Sequence, residues 1–189
     1  SEGCNAGKNS KGVNEGAMGV TAAKEMQAEE TVDRGRYAEK TTQKNYAVAI
    51  GSYAGHDSQG VNAVAMGYQA GKTTQRANAV AIGNYAGTTT QNNFAVAIGS
   101  YAAQTSQGVN AVAMGFQAAQ TTQGADAVAI GNHAGTSTQK NYAVAIGSYA
   151  GNDNQGAEAV AMGYQAGKTT QRSNAVAIGN YAGTTTQNN

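Results

Sequence analysis

A glycine returns every sixteen residues along this chain without an insertion or deletion, in the series Gly3, Gly19, Gly35, Gly51 and onward to Gly179. An alanine follows three residues after each one, from Ala6 and Ala22 to Ala166 and Ala182. A strict short period means one structural unit stacked on itself, with stability distributed along a line instead of gathered into a globular core. The unit reads Gly-x-Tyr/Gln-Ala-Gly-x-Thr-Thr-Gln-x-x-Asn-Ala-Val-Ala-Ile/Met. Its glutamine is absent only at Lys11 and present from Gln27 and Gln43 to Gln171 and Gln187. Sixteen residues suit two short strands and two turns, whereas a helical repeat needs roughly thirty or more. Ala-Val-Ala-Ile reads as one strand and Thr-Thr-Gln as the other. The Gly and Ala-Gly positions form one corner, and the Gly/Asn-rich stretch forms the other. The expected fold is all-β, a parallel β-solenoid or β-roll of about twelve coils.

A second period lies on the first. Ile50, Met66 and Ile82 precede successive glycines, and the triplet returns at Ile98, Met114, Ile130 and at Ile146, Met162, Ile178. Residues 46–93, 94–141 and 142–189 are therefore three near copies of a block of three coils, read as a duplication. Residues 1–45 keep the phase but lose the consensus, and hold 14 of the chain's 23 charges. Two readings of residues 20–32 stand open: degenerate coils, which the on-register Met18-Gly19 and Gly35 favour, or a short helix over Ala22–Glu30 on propensity. The sequence ends on full consensus at Thr184-Thr185-Thr186-Gln187-Asn188-Asn189. An uncapped sheet end is an aggregation hazard, so the expectation is a chain that continues or a subunit that stacks there.

Stacking places each residue over its counterpart at about 4.8 Å. Asn, Gln and Thr ladders tolerate that self-contact and charge ladders do not. Lys72 accordingly has Gln120, then Lys168, as its block counterparts. In Ala47-Val48-Ala49-Ile50, alternation sends Val and Ile to one side and the alanines to the other. Size and hydropathy assign Val and Ile/Met to the interior. That leaves an outer apolar strip of Ala47, Ala63, Ala79, Ala95, Ala111, Ala127, Ala143, Ala159 and Ala175, with Ala49, Ala65 and Ala81 on the same side. A strip this long is unusual on a monomer, so the expectation is a homo-oligomer whose chains meet along it.

Charge and motifs exclude much. Twelve basic and eleven acidic side chains give a net charge of +1, without the concentrated basic stripe that nucleic acid requires. No apolar run approaches the roughly 18 residues of a membrane span, so no membrane insertion is expected of this segment. The single cysteine, Cys4, rules out an intramolecular disulfide framework. His56 and His133 fall at different unit positions, outside any metal-ligand cluster, and the aspartate-bearing calcium nonapeptide is absent. Neither nucleotide fingerprint occurs, and no nucleophile–base pair recurs. No catalytic, cofactor or metal site is expected; the chain reads as no enzyme. The aromatics Tyr53, Tyr85, Tyr101, Tyr149 and Tyr181 share one unit position. They read as corner packing between coils or, alternatively, as a strip contacting a partner. The Thr88–Thr90, Thr136–Thr138 and Thr184–Thr186 triplets raise an ice-binding face, but they occur only in every third coil.

Asn62-Ala63-Val64-Ala65-Met66-Gly67 and Asn78-Ala79-Val80-Ala81-Ile82-Gly83, each followed by an alanine three residues after the glycine, resemble the head repeats of YadA-like trimeric autotransporter adhesins. The resemblance covers residues 46–189 well and 1–45 weakly. It implies a left-handed parallel β-roll, three chains side by side, and a surface-exposed head that adheres to host matrix or other cells. Family repeats are usually shorter than these, which implies one longer corner, and no neck motif, stalk or anchor is present. A purely structural filament, such as a virion or appendage fibre, is the alternative reading.

Overall fold

A computed structural model describes Cys4, Ala6 and residues 16–22 and 28–187. Most of the described coils contribute one three-residue strand and one two-residue strand, joined by two tight corners. The longer strands, from Gly16–Met18 to Val176–Ile178, form one parallel eleven-stranded sheet. Every residue pairs with its counterpart sixteen positions on: Val48 with Val64, Ala49 with Ala65, Ile50 with Met66. The shorter Thr/Ser–Gln strands form a second sheet of seven, from Thr42–Gln43 to Thr138–Gln139. That ladder is interrupted at the next coil, where Asn154 turns into the left-handed region with φ 58. Gln155 there makes only isolated bridges to Gln139 and Gln171. The expected parallel solenoid, its strands and its corners are all present.

The period of the first glycine has a steric cause. Gly51 adopts φ +131, and a Cβ added there would lie 2.4 Å from the carbonyl oxygen of Gly67 in the next coil. No side chain fits between two backbones that close. At the opposite corner each coil again needs a left-handed residue, and asparagine supplies it at Asn62, Asn78, Asn110 and Asn174, while Tyr46, Phe94 and Tyr142 stand there once per block. Asparagine visits this region readily and aromatic residues do not. Asn62 also donates a 3.1 Å side-chain hydrogen bond to Asn78. Phe94, 58% exposed, has little packing to lose. Phe94→Asn should therefore raise unfolding stability by about 0.5–1 kcal/mol, measured by urea denaturation; a loss of that size would mean the ring is anchoring the corner.

The interior is the reverse of the expected one. Ala47, Ala63, Ala79, Ala95, Ala111, Ala127, Ala143, Ala159 and Ala175, together with Ala49, Ala65 and Ala81, are at most 4% exposed in a single chain. They fill the roll and present no surface to a second subunit. Val48 and Ile50 point outward. The reason is the narrowness of the roll. A methyl added to Gly55 would sit 3.3 Å from the Ala49 Cβ and 2.8 Å from the Gln59 amide oxygen. Alanine from one sheet, alanine from the Ala54 corner and glutamine from the other sheet leave no room for branched side chains.

The glutamines form a ladder through this interior. The Gln59 amide nitrogen donates to the Gln75 amide oxygen at 3.2 Å, and also contacts the carbonyls of Val48 at 2.7 Å and Ala63 at 3.2 Å. The arrangement recurs in each coil to Gln155, which donates to Gln171. Carbonyls at the start of the longer strand thereby gain a partner where water cannot reach, beyond the backbone ladder in which the Val48 N–H already donates to the Ala63 carbonyl.

The sixteen-residue phase continues into the N-terminal coils: Gly16 pairs with Val32, and Val32 with Val48. Interior places held by Ala47, Ala49 and Gly55 in later coils are held by Thr31, Asp33 and Glu39, all buried. Thr21 lies in a turn on the solenoid register, its N–H donating to the Cys4 carbonyl. Of the helical alternative, Ala22, Glu29 and Glu30 lie in turns, and residues 23–27 lie outside the described residues.

Candidate interaction surfaces

With the alanines inside, the outer face of the longer-strand sheet is a double row of branched and long apolar side chains. Val48, Val64, Val80 and Val96 continue to Val176 in one row; Ile50, Met66, Ile82 and Ile98 continue to Ile178 in the other. Their own stacking only half-covers them. Met66 is 37% exposed and Ile130 37%. Nine consecutive coils carry this face, which at about 4.8 Å per coil runs for roughly 38 Å between the first and last rows. It is flat because parallel in-register strands repeat one surface. No charged or polar residue interrupts it between Val48 and Ile178. The sequence reading missed it because it placed these residues in the core; the signal was the free exchange of Ile for Met at one position, which a close-packed interior would not tolerate.

From Gly35 on, the corner after the invariant glycine carries the aromatics. Tyr53, Tyr85, Tyr101 and Tyr149 are half-buried and Tyr181 is exposed. They belong to a ladder that includes residues from the neighbouring position. Tyr37 stacks on Tyr53 at 5.1 Å, Tyr85 on Tyr101 at 5.1 Å and His133 on Tyr149 at 4.8 Å. Tyr68, Phe116 and Tyr164 meet them edge-on. Such pairs favour offset or edge-to-face contact and contribute about 0.5–1.5 kcal/mol each. Lys72 and Lys168 lie over the Tyr53 and Tyr149 rings. A hydrogen bond with Tyr68 holds the Tyr85 phenol above its ordinary range, and Tyr164 does the same to Tyr181. The corner aromatics thus pack coil against coil.

The face of the short strands is polar. Its outward positions carry Thr88 and Thr90 in one coil, Gln104 and Ser106 in the next, and Asn152 and Asn154 or Lys168 and Thr170 further on. That alternation breaks the hydroxyl array a flat ice-matching face would need. His56 Nδ1 lies 2.6 Å from Asp57 Oδ1. Among the described residues no three His, Cys, Asp or Glu side chains converge as a metal site would require.

The model of the YadA head domain repeat matches residues 58–86, 106–134 and 123–150. These are YadA-like head repeats. No curated protein and no solved structure matches the chain. The matched segments each span the short strand, the left-handed corner, the Val-Ala-Met/Ile strand and the glycine corner. The YadA head assignment therefore rests on the whole coil and not on the Val-Ala-Ile-Gly motif alone. YadA head repeats belong to trimeric autotransporter adhesins, and the likeness of the matched segments supports an adhesin-like segment.

Proposed function

We propose that the chain is a non-enzymatic head segment of a cell-surface adhesin, assembled as a side-by-side homotrimer and binding matrix or cell-surface molecules through many weak contacts along the rod. The uninterrupted Val/Ile/Met face carries this reading. A contiguous apolar surface of this length on a soluble monomer exceeds what monomers ordinarily expose, and a second and third copy supply a matching face with the same repeat. Three identical sheets packed about one axis bury the double row of each chain; interface cores of obligate oligomers have this composition. A rod repeating one surface then presents several copies of any contact to a receptor-bearing surface, which raises avidity without new chemistry.

Sedimentation equilibrium tests the assembly. The chain should sediment as a trimer, and Ile82→Asp with Ile98→Asp should dissociate it while each coil keeps its fold, read by circular dichroism. A folded wild-type monomer would sink the oligomer reading. Adhesion to cells or matrix by the trimer supports the adhesin; a trimer that adheres to nothing tested and only extends into fibres supports a structural filament.

A further inference from the structure

We infer that the corner edge carrying Lys140 and Arg172 binds the sulfate or carboxylate groups of an anionic polysaccharide. The position after the buried glutamine is held by Lys44, Gly60 and Arg76 in three successive coils, and by Lys140, Gly156 and Arg172 in another three. All four cations are exposed, and none makes an ion pair among the described residues. Lys140 and Arg172 stand two coils apart, about 9.6 Å at the solenoid spacing. Gly156 between them has no side chain, and a groove of about 600 Å³ opens there, lined by Thr138, Lys140, Asn154, Thr170, Arg172 and Ser173. This is where the short-strand ladder is interrupted and Asn154 turns left-handed. A smaller hollow of about 300 Å³ lies on the other side of Lys140.

The lining selects the ligand. Two cations separated by about a disaccharide's length, with hydroxyls of Thr138, Thr170 and Ser173 and the Asn154 amide between them, suit a chain that alternates anions with sugar hydroxyls. The groove is open along the rod, which favours a polymer over an enclosed small molecule. The Lys-Gly-Arg arrangement recurs six coils away, roughly 29 Å, so one long chain can engage both copies along one edge. Duplex nucleic acid carries one charge per about 1.7 Å of axis, and four cations spread this thinly do not match it. The groove opens on the short-strand side, away from the Val/Ile/Met sheet, and so stays accessible in the proposed trimer. Two carboxylates oppose binding at the second copy: Glu158, which accepts a 2.9 Å hydrogen bond from Asn174, and Asp153, which precedes Asn154 and accepts one of 2.9 Å from Ser137; at Glu158 the two copies differ. Asn62 stands in its place in the first copy.

The inference rests on the adhesin reading for its biological meaning, but its test is independent of cell adhesion. The full chain is titrated calorimetrically with a heparin-derived tetrasaccharide and, separately, with a hyaluronan tetrasaccharide, which carries carboxylates without sulfates. Binding of the first alone assigns sulfate, and binding of both assigns any spaced anion. Lys140→Ala with Arg172→Ala should remove the tighter binding at the groove, and adding Lys44→Ala and Arg76→Ala should abolish what the first Lys-Gly-Arg set retains. Glu158→Gln should tighten the second site roughly threefold. Lys72→Ala with Lys168→Ala removes two cations from the aromatic corner and should change nothing. Absence of binding to both sugars, an equal loss in the Lys72/Lys168 variant, or tighter binding of single-stranded DNA of matched charge would overturn the inference. Circular dichroism and sedimentation of every variant keep a folding or assembly defect separate from a lost contact.

Discussion

Ala113→Leu is expected to destabilise the chain by about 3 kcal/mol or more, the upper range of core overpacking. Ala113 lies fully buried between the Ala97 and Ala129 counterparts above and below and the Ala118 corner beside it. Leucine adds three carbons where the adjacent sheet leaves no gap, and in-register stacking blocks escape along the axis. The neighbouring Val112→Leu points the other way, from the outer row, and should change monomer stability by less than about 0.5 kcal/mol. Urea unfolding of both variants measures the contrast. Comparable losses at the two positions would contradict the alanine interior.

Gln107→Leu should cost about 3–5 kcal/mol, because it keeps the approximate volume and strands several polar groups at once. The two N–H groups of the Gln107 amide are shared among the Val96 carbonyl at 2.7 Å, the Ala111 carbonyl at 3.1 Å and the Gln123 amide oxygen at 3.1 Å. Its own oxygen accepts from Gln91 at 3.1 Å. Leucine satisfies none of these, and water has no path to replace them. Gln107→Glu offers a second comparison: its carboxylate can accept from Gln91 but cannot donate forward, and burying it adds the desolvation of a charge. Hydrogen exchange should show faster opening at coils 96–123 than at distant coils, since a solenoid transmits stability chiefly to nearest neighbours. Uniform destabilisation along the chain would mean that the ladder acts globally.

The period, the strands and both corners were legible in the sequence because in-register stacking forces each column to obey one local rule. Gly51 and Gly67 recur because their backbones nearly touch, and Asn62 and Asn78 recur because the corner is left-handed. The direction of the side chains was misread at Val48 and Ala49. Hydrophobic size is a sound guide to burial where a core is wide enough for branched residues, and here two sheets approach within the reach of a methyl. The columns themselves held the better signal. Ala54 and Gln59 repeat with little change across coils, as a space-limited interior demands, whereas Ile50 gives way to Met66 and back to Ile82. The groove at Gly156 was not legible, because nothing local to Lys140 shows that a residue thirty-two positions on, Arg172, faces the same opening.

The hydrogen bonds that join coil to coil run along the rod, from Val48 N–H to the Ala63 carbonyl and from Gly67 N–H to the Ile50 carbonyl. A tether anchored at one end and loaded at the other therefore pulls on them in line, peeling one rung at a time instead of shearing a whole sheet at once. Each rung released turns about 4.8 Å of rod into sixteen residues of extended chain, a gain of roughly 50 Å. Under tension the molecule lengthens in equal steps at low force, so an attachment made along its side is spared a sudden load.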